Sequence, residues 1–189
     1  LFDVDKLLVI KRHEITASHV YTYHYEGFRA GGGLYVVSPR EPDSKPVELV
    51  SSPTGQILDC DLHYDGKRVL FSWRRKSSEG YHLWTVNVDG SGLTQLTAGV
   101  RHDYNACWLP DGGIAFLSTR APQFAYCWHA PVGVLHRMDA DGSNQVRLTF
   151  SAEADKAPAW SPDGQTLAFT GQYDGNTEVY LMPASGGIP

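Results

Sequence analysis

Apolar and polar residues alternate in short runs along this chain, and Asp-Gly pairs punctuate the runs. "KRVLFSW" (67–73), "GIAFLSTR" (113–120) and "QTLAFTG" (165–171) follow Asp65-Gly66, Asp111-Gly112 and Asp163-Gly164. Before those pairs lie "ILDCDLHY" (57–64), "DYNACWLP" (103–110) and "KAPAWSP" (156–162). A third set comes later in each unit: "YHLWTVNV" (81–88), "GVLHRMD" (133–139) and "TEVYLMP" (177–183). A period of two with branched and aromatic residues predicts β-strands. Asp-Gly accepts the positive φ of a tight hairpin turn. No helix of useful length is predicted.

The pattern repeats. Asp65, Asp111 and Asp163 are 46 and 52 residues apart. Asp89-Gly90 returns as Asp141-Gly142, and Leu96-Thr97 as Leu148-Thr149, both 52 residues on. A unit of four short antiparallel strands cannot bury both of its faces alone. Units with a period of about 40–50 residues stack radially as propeller blades. The expectation is an all-β partial β-propeller of about four blades, at 7–55, 56–99, 100–152 and 153–189. The first blade is degenerate, with strand candidates "LLVIKRH" (7–13), "HVYTYHYEG" (19–27) and "GGLYVVS" (32–38). The last lacks its closing strand. Propellers close with about 4–8 blades, so an open arc of a larger ring is expected, with two uncovered faces.

Composition narrows the function classes. A net charge of −5 and the absence of a Lys/Arg stripe argue against a nucleic-acid partner. Lys11-Arg12 and Arg74-Arg75-Lys76 read as solvated turns. No apolar run is long enough for a membrane-spanning helix. The chain opens at Leu1 without a methionine and reads as a piece of something longer. Cys60, Cys107 and Cys127 are too few and too scattered for a disulfide framework.

Candidate chemistry is sparse. Cys107, Cys127, His129 and His102 form the best metal set, because thiolate and imidazole suit tetrahedral zinc. They lack a tight Cys-x₂₋₄-Cys clip, and Cys107 also reads as a small buried hydrophobe. His13, His19 and His24 lie near Tyr21, Tyr23 and Tyr25. Read as a strand, "HVYTYHY" puts the three tyrosines on one face and His24 on the other. That set reads either as inter-blade packing or as the mouth of a polar binding site. "DADGSN" (139–144) has the opening of a calcium loop, but Phe150 stands where the closing Glu belongs, so it reads as a hairpin. "RAGGG" (29–33) reads as a turn or bulge rather than a phosphate cradle. No Gly-x-Ser-x-Gly elbow occurs. Trp108 and Trp160 stand three residues before Asp111 and Asp163, so they are expected between blades.

Two resemblances follow from these stretches. "APAWSPDGQTLAFTGQYDGNTEVYLMPASGGIP" resembles the TolB-like, PD40-type repeat over about 155–189, a form also seen in tricorn-type protease propellers. Residues 9–150 resemble the propeller region of hydrazine synthase alpha subunits, through "KRHEITASHVYTYHYEG", "GGGLYVVS", "HYDGKRVLFSWR", "VNVDGSGLTQLT", "DYNACWLPDGGIAFLSTR" and "VLHRMDADGSNQVRLT". In that family, c-type haem sits in neighbouring domains with Cys-x-x-Cys-His, which is absent here. The family pattern around Cys107 often has a His where Asn105 stands. The resemblance implies a periplasmic or secreted protein, and a non-catalytic propeller that contacts a neighbouring domain or a protein partner. No cofactor is required, and zinc is the one a metal site would take. Two enzymatic roles remain open. One contributes metal or haem-pocket residues to an oxidoreductase. The other gates substrate for a tricorn-like or prolyl-oligopeptidase-like peptidase.

Overall fold

The computed structural model describes residues 4–19, 22–121, 124–125, 128–150, 156–171 and 176–186, with the side chains of 125, 128–130 and 156–158 outside that description. Four antiparallel sheets follow one another along the chain. The first contains β1 (Leu7–Lys11), β2 (Gly33–Val37) and β3 (Val47–Ser51). The second contains β4 (Gln56–Leu62), β5 (Arg68–Arg74), β6 (His82–Asn87) and β7 (Thr94–Gln95). The third contains β8 (Asp103–Trp108), β9 (Ile114–Ser118), β12 (Val134–Met138) and β13 (Val146–Arg147). A small hairpin of β10 (Phe124–Ala125) and β11 (Trp128–Pro131) interrupts it. The fourth contains β14 (Lys156–Trp160), β15 (Thr166–Gly171) and β16 (Glu178–Pro183). Among the described residues there is no helix, and so none long and apolar enough to cross a membrane. The fold is an all-β partial propeller, with sequential strands paired in order.

The Asp-Gly turns are built by their own side chains. Asp65, Asp111 and Asp163 each accept a hydrogen bond through Oδ1 from the backbone N–H two residues on, at 2.8–3.0 Å. Gly66, Gly112 and Gly164 carry φ of 69°, 87° and 70°, which suits a residue without Cβ. The repeated Leu-Thr also has a physical cause. The Leu96 and Leu148 amides donate to Leu83 and Leu135 O, extending each blade outward. Thr97 Oγ1 accepts from the Leu83 amide at 2.9 Å.

Alternation along the second strand of a blade sends successive side chains to opposite neighbours. Val69 and Phe71 on β5 join Leu34, Leu49 and Val50 of the first blade. Leu70, between them, joins Ile114 and Phe116 of the third. On β9, Ala115 joins Leu167 and Phe169 of the fourth. Phe71, Phe116 and Phe169 therefore hold one structural position, each packed on the preceding blade. Burying one such ring is worth about 1.5–3 kcal/mol. Trp108 lies in the junction of the second and third blades, and Trp160 packs against that of the third and fourth.

The first blade departs from the expected strands. Residues 22–27 form turns, not a strand. The Tyr25 and Glu26 amides donate to Thr22 O, and Ser18 and Thr22 hydroxyls converge on the Glu26 carboxylate at 2.7 Å. That local network competes with a sheet ladder and wins. Consequently the proposed alternation of Tyr23 and Tyr25 against His24 does not apply, and Tyr21 lies outside the described residues. The third strand is β3, from a stretch with no expected strand.

Candidate functional site

The first strands of the first three blades lie innermost, with β1 against β4 and β4 against β8. Two of these strands carry a β-bulge at a matching place. The β4–β5 register shifts between Ile57 and Cys60, and the β8–β9 register between Tyr104 and Cys107. The fourth blade repeats it between Lys156 and Ala159. A bulge leaves one extra residue facing away from the ladder. In β4 this frees Asp59, and in β8 it frees Asn105, which takes φ of 49°.

These two residues join the blades. The Asn105 amide and Nδ2 both donate to Asp59 Oδ2, at 3.0 and 3.2 Å. Ser72 Oγ donates to Asp59 Oδ1 at 2.7 Å. Two residues along β4, Asp61 accepts from the Trp108 amide at 2.8 Å. Burial of the carboxyl group pushes Asp59 from an ordinary 3.8 up to about 6, against the hydrogen bonds from Ser72 and Asn105.

The segment between β1 and β2 crosses over this joint as a strap. Tyr23 donates its hydroxyl to Asn105 Oδ1. Burial, then the Asp59 charge, raises the Tyr23 phenol to about 12, so it remains a donor. His24 is buried and stacks on Tyr104 with ring centroids 4.7 Å apart, and it meets His102 edge-on at 5.2 Å. Tyr81 donates to Gln56 Oε1 at 2.6 Å behind them. Beside the strap opens a cavity of about 430 Å³, lined by Arg12, Ile15, Ala17, His19, Tyr23, Leu58 and Asn105. It offers a guanidinium, a phenol and an amide over an apolar floor. A larger cavity of about 690 Å³ sits by the Asp-Gly turns around Tyr64, Pro110 and Trp160. Its Asp111 is already paired with Arg137 at 2.6 Å, so the unusual electrostatics belong to the strap cavity.

A second polar cluster sits deeper. Asp103 is buried and receives Arg120 Nη2 at 2.8 Å, with His82 Nδ1 at 3.8 Å. Burial opposes its ionisation, yet the nearby His82 ring, Arg120 and Ser118 hold it below its ordinary value. His102 is pushed down to about 4, first by burial and then by Arg74 and His82.

Known proteins share this architecture. No family model matches the chain. Hydrazine synthase subunit alpha of Kuenenia stuttgartiensis is 31% identical over 55 residues, 29% of this chain and 7% of that protein. The Tol-Pal system protein TolB of Xanthomonas campestris is 41% identical over 49 residues, 26% of this chain and 11% of that protein. The crystal structure of TolB from Acinetobacter baumannii superposes with a TM-score of 0.61 at 19% identity, over 84% of this chain and 37% of its own. Kuenenia stuttgartiensis hydrazine synthase gives 0.70 at 16% identity, over 95% and 30%. The chain resembles TolB-like β-propellers. It spans far less than two thirds of the curated relatives it matches.

Within this TolB-like arc, two of the metal candidates, His102 and Cys107, fall in different places. His102 precedes β8 and packs its ring against His24 and Tyr81. Cys107 sits five residues on, roughly 15 Å along an extended strand, against the core shared by the third and fourth blades. Burial, then Asp61 and Asp59, raises its thiol to about 11, so it is a thiol and not a thiolate. Cys127 lies outside the described residues, as does the side chain of His129 on β11. Among the described residues no group of three His, Cys, Asp or Glu is placed to hold a metal ion. "DADGSN" is a hairpin, with Gly142 at φ 87° and Asn144 Nδ2 donating to Asp139 at 2.6 Å. The hydrophobic pattern does not mark the Asp59–Asn105 joint. Its signal was the change from an Asp to an Asn at the same distance before the Asp-Gly turn.

Proposed function

We propose that this arc is a non-catalytic scaffold and binding segment of a larger extracytoplasmic protein of the hydrazine synthase alpha-like type. Its strap cavity receives a neighbouring domain or a protein partner. One observation carries the reading: a carboxylate held near 6 beneath a polar-rimmed cavity, where three blades converge. Keeping an acid there costs stability at neutral pH, and perturbed groups of that kind gather at functional sites. The cavity floor of Ile15, Ala17 and Leu58 supplies contact area, while Arg12, Tyr23 and Asn105 fix orientation. The likeness to Tol-Pal system proteins supports an extracytoplasmic location.

Co-purification from the envelope fraction of the host tests this. The native chain should retain a protein that the Arg12→Glu variant loses. Equal recovery with both would remove the strap cavity from the function.

A further inference from the structure

Arg68, Gly113 and Thr166 hold one position in successive blades. Each gives its carbonyl oxygen to the first amide after an inner strand, that of His63, Leu109 or Ser161, at 2.8–2.9 Å. The last residues of those strands, Leu62, Trp108 and Trp160, pair with Val69, Ile114 and Leu167. The register therefore aligns Trp160 with Trp108, and Gly113 with Arg68.

Where the second blade meets the third, that position is filled. The Arg68 guanidinium lies over the Trp108 ring, 4.9 Å from its centroid, and stands 3.6 Å from Asp65 of its own turn. His63 meets the same ring edge-on at 4.7 Å. So covered, Trp108 is 3% exposed. Where the third blade meets the fourth, Gly113 brings no side chain and Leu109 stands in place of His63. Trp160 packs one side against the junction core and turns the other into the cavity of about 690 Å³, with Tyr64, Pro110, Asp111 and Pro162 around it. Among the described residues no cation lies over this ring.

The charges at these turns leave room for one. Asp65 pairs with Arg68, and Asp111 with Arg137. Asp163, on the same turn as Trp160, accepts from Ser161 and Gln165 and has no ion pair among the described residues.

We infer that this cavity takes the side chain of an arginine from a protein partner, its guanidinium over the Trp160 ring as Arg68 lies over Trp108. The cavity has every part of the internal pair except the cation: an indole face, carboxylates on the neighbouring turns, and space. A guanidinium suits it because it is planar, weakly hydrated and stacks on indole, whereas a lysine ammonium is a strongly hydrated point charge. Tyr64, 71% exposed, and Pro162 offer further contact to the partner's flanking backbone. The site lies at the Asp-Gly turns that follow β4 and β8, whereas the strap meets His102 and Tyr104 where β8 begins. It would stand if nothing docked at the strap.

NMR titration of the Trp160 indole N–H with acetyl-Gly-Gly-Arg-Gly-Gly-amide tests the inference. The expected result is a saturable shift at Trp160, with a dissociation constant about tenfold lower than that of the lysine peptide. Gly113→Arg should abolish the shift, because its own guanidinium reaches the ring. Gly113→Ala should fold and bind as the native chain does. A Cβ at Gly113 meets only the ends of the Arg137 and Asp111 side chains, at 3.0–3.3 Å, and the position has no positive φ. No saturable shift at Trp160, an equal response to the lysine peptide, or a folded Gly113→Arg variant that still binds would overturn the inference. Free arginine should bind more weakly than the peptide, and tighter binding would give the cavity to the amino acid instead of a protein partner.

Discussion

Asn105 gives both its backbone and its side-chain N–H to one oxygen of Asp59, across the joint between two blades. Each residue sits in a bulge of an innermost strand, and the Tyr23 hydroxyl closes over them from the strap. The joint therefore couples the spacing of two blades to the position of the strap. It also makes the stability of the arc depend on pH.

The raised Asp59 acid sets the first dependence. A group whose folded pKa lies above its unfolded value contributes stability that is complete below the unfolded value. That stability is lost as pH rises through the folded one. For Asp59 the window runs from about 4 to about 6. Asp59→Asn keeps acceptor and donor atoms for Asn105 and Ser72 without the charge. It is predicted to stabilise the chain at pH 7.5 by about 1–3 kcal/mol, with little effect at pH 4, at 1.36 kcal/mol per pKa unit. Urea unfolding at the two pH values checks it.

His102 acts in the other direction. Its folded value of about 4 lies below the ordinary 6.5. Its contribution is complete above 6.5 and is lost as pH falls toward 4. The imidazole is predicted to stay neutral at pH 5.5, read from its NMR carbon shifts. A midpoint near 6.5 would mean that His102 is solvated and that the strap does not cover it.

The repeated phenylalanines should be the costliest residues to truncate. Phe71→Ala and Phe116→Ala are predicted to lose about 3–5 kcal/mol in denaturant unfolding, since both are fully buried between blades. Tyr64→Ala, at a ring 71% exposed, should change stability by less than about 0.5 kcal/mol.

The thiols of Cys60 and Cys107 are both raised to about 11 by burial. Thiolates are the reactive and metal-binding form. Both are predicted to resist a thiol reagent at pH 8 until the chain is unfolded, and Cys107→Ser should leave any bound zinc unchanged. Rapid labelling of native Cys107, or zinc lost with it, would place a thiolate in a metal site there.

The blades were legible because their determinants are local. Asp65, Asp111 and Asp163 make their turns with their own carboxylates, and Leu96 and Leu148 add their strands through their own amides. The strap was not legible for the opposite reason. "HVYTYHYEG" has the alternation of a strand, and only the hydrogen bonds of Ser18, Thr22 and Glu26 turn it into a loop. The Asp59 pKa depends on Asn105, 46 residues away, and on a bulge that no period reveals. The β3 strand follows Pro39, Pro42 and Pro46, which break any strand pattern, and is held by pairing with β2.

The most direct test of binding at the strap is a photo-crosslinking residue at Ala17, in the cavity wall, in the protein expressed in its own host. Docking predicts a discrete protein adduct that Arg12→Glu weakens, and that a crosslinker at Phe150, 65% exposed and far from the cavity in sequence, does not form. The same adducts from both positions, or none from Ala17, would contradict a binding role for this site.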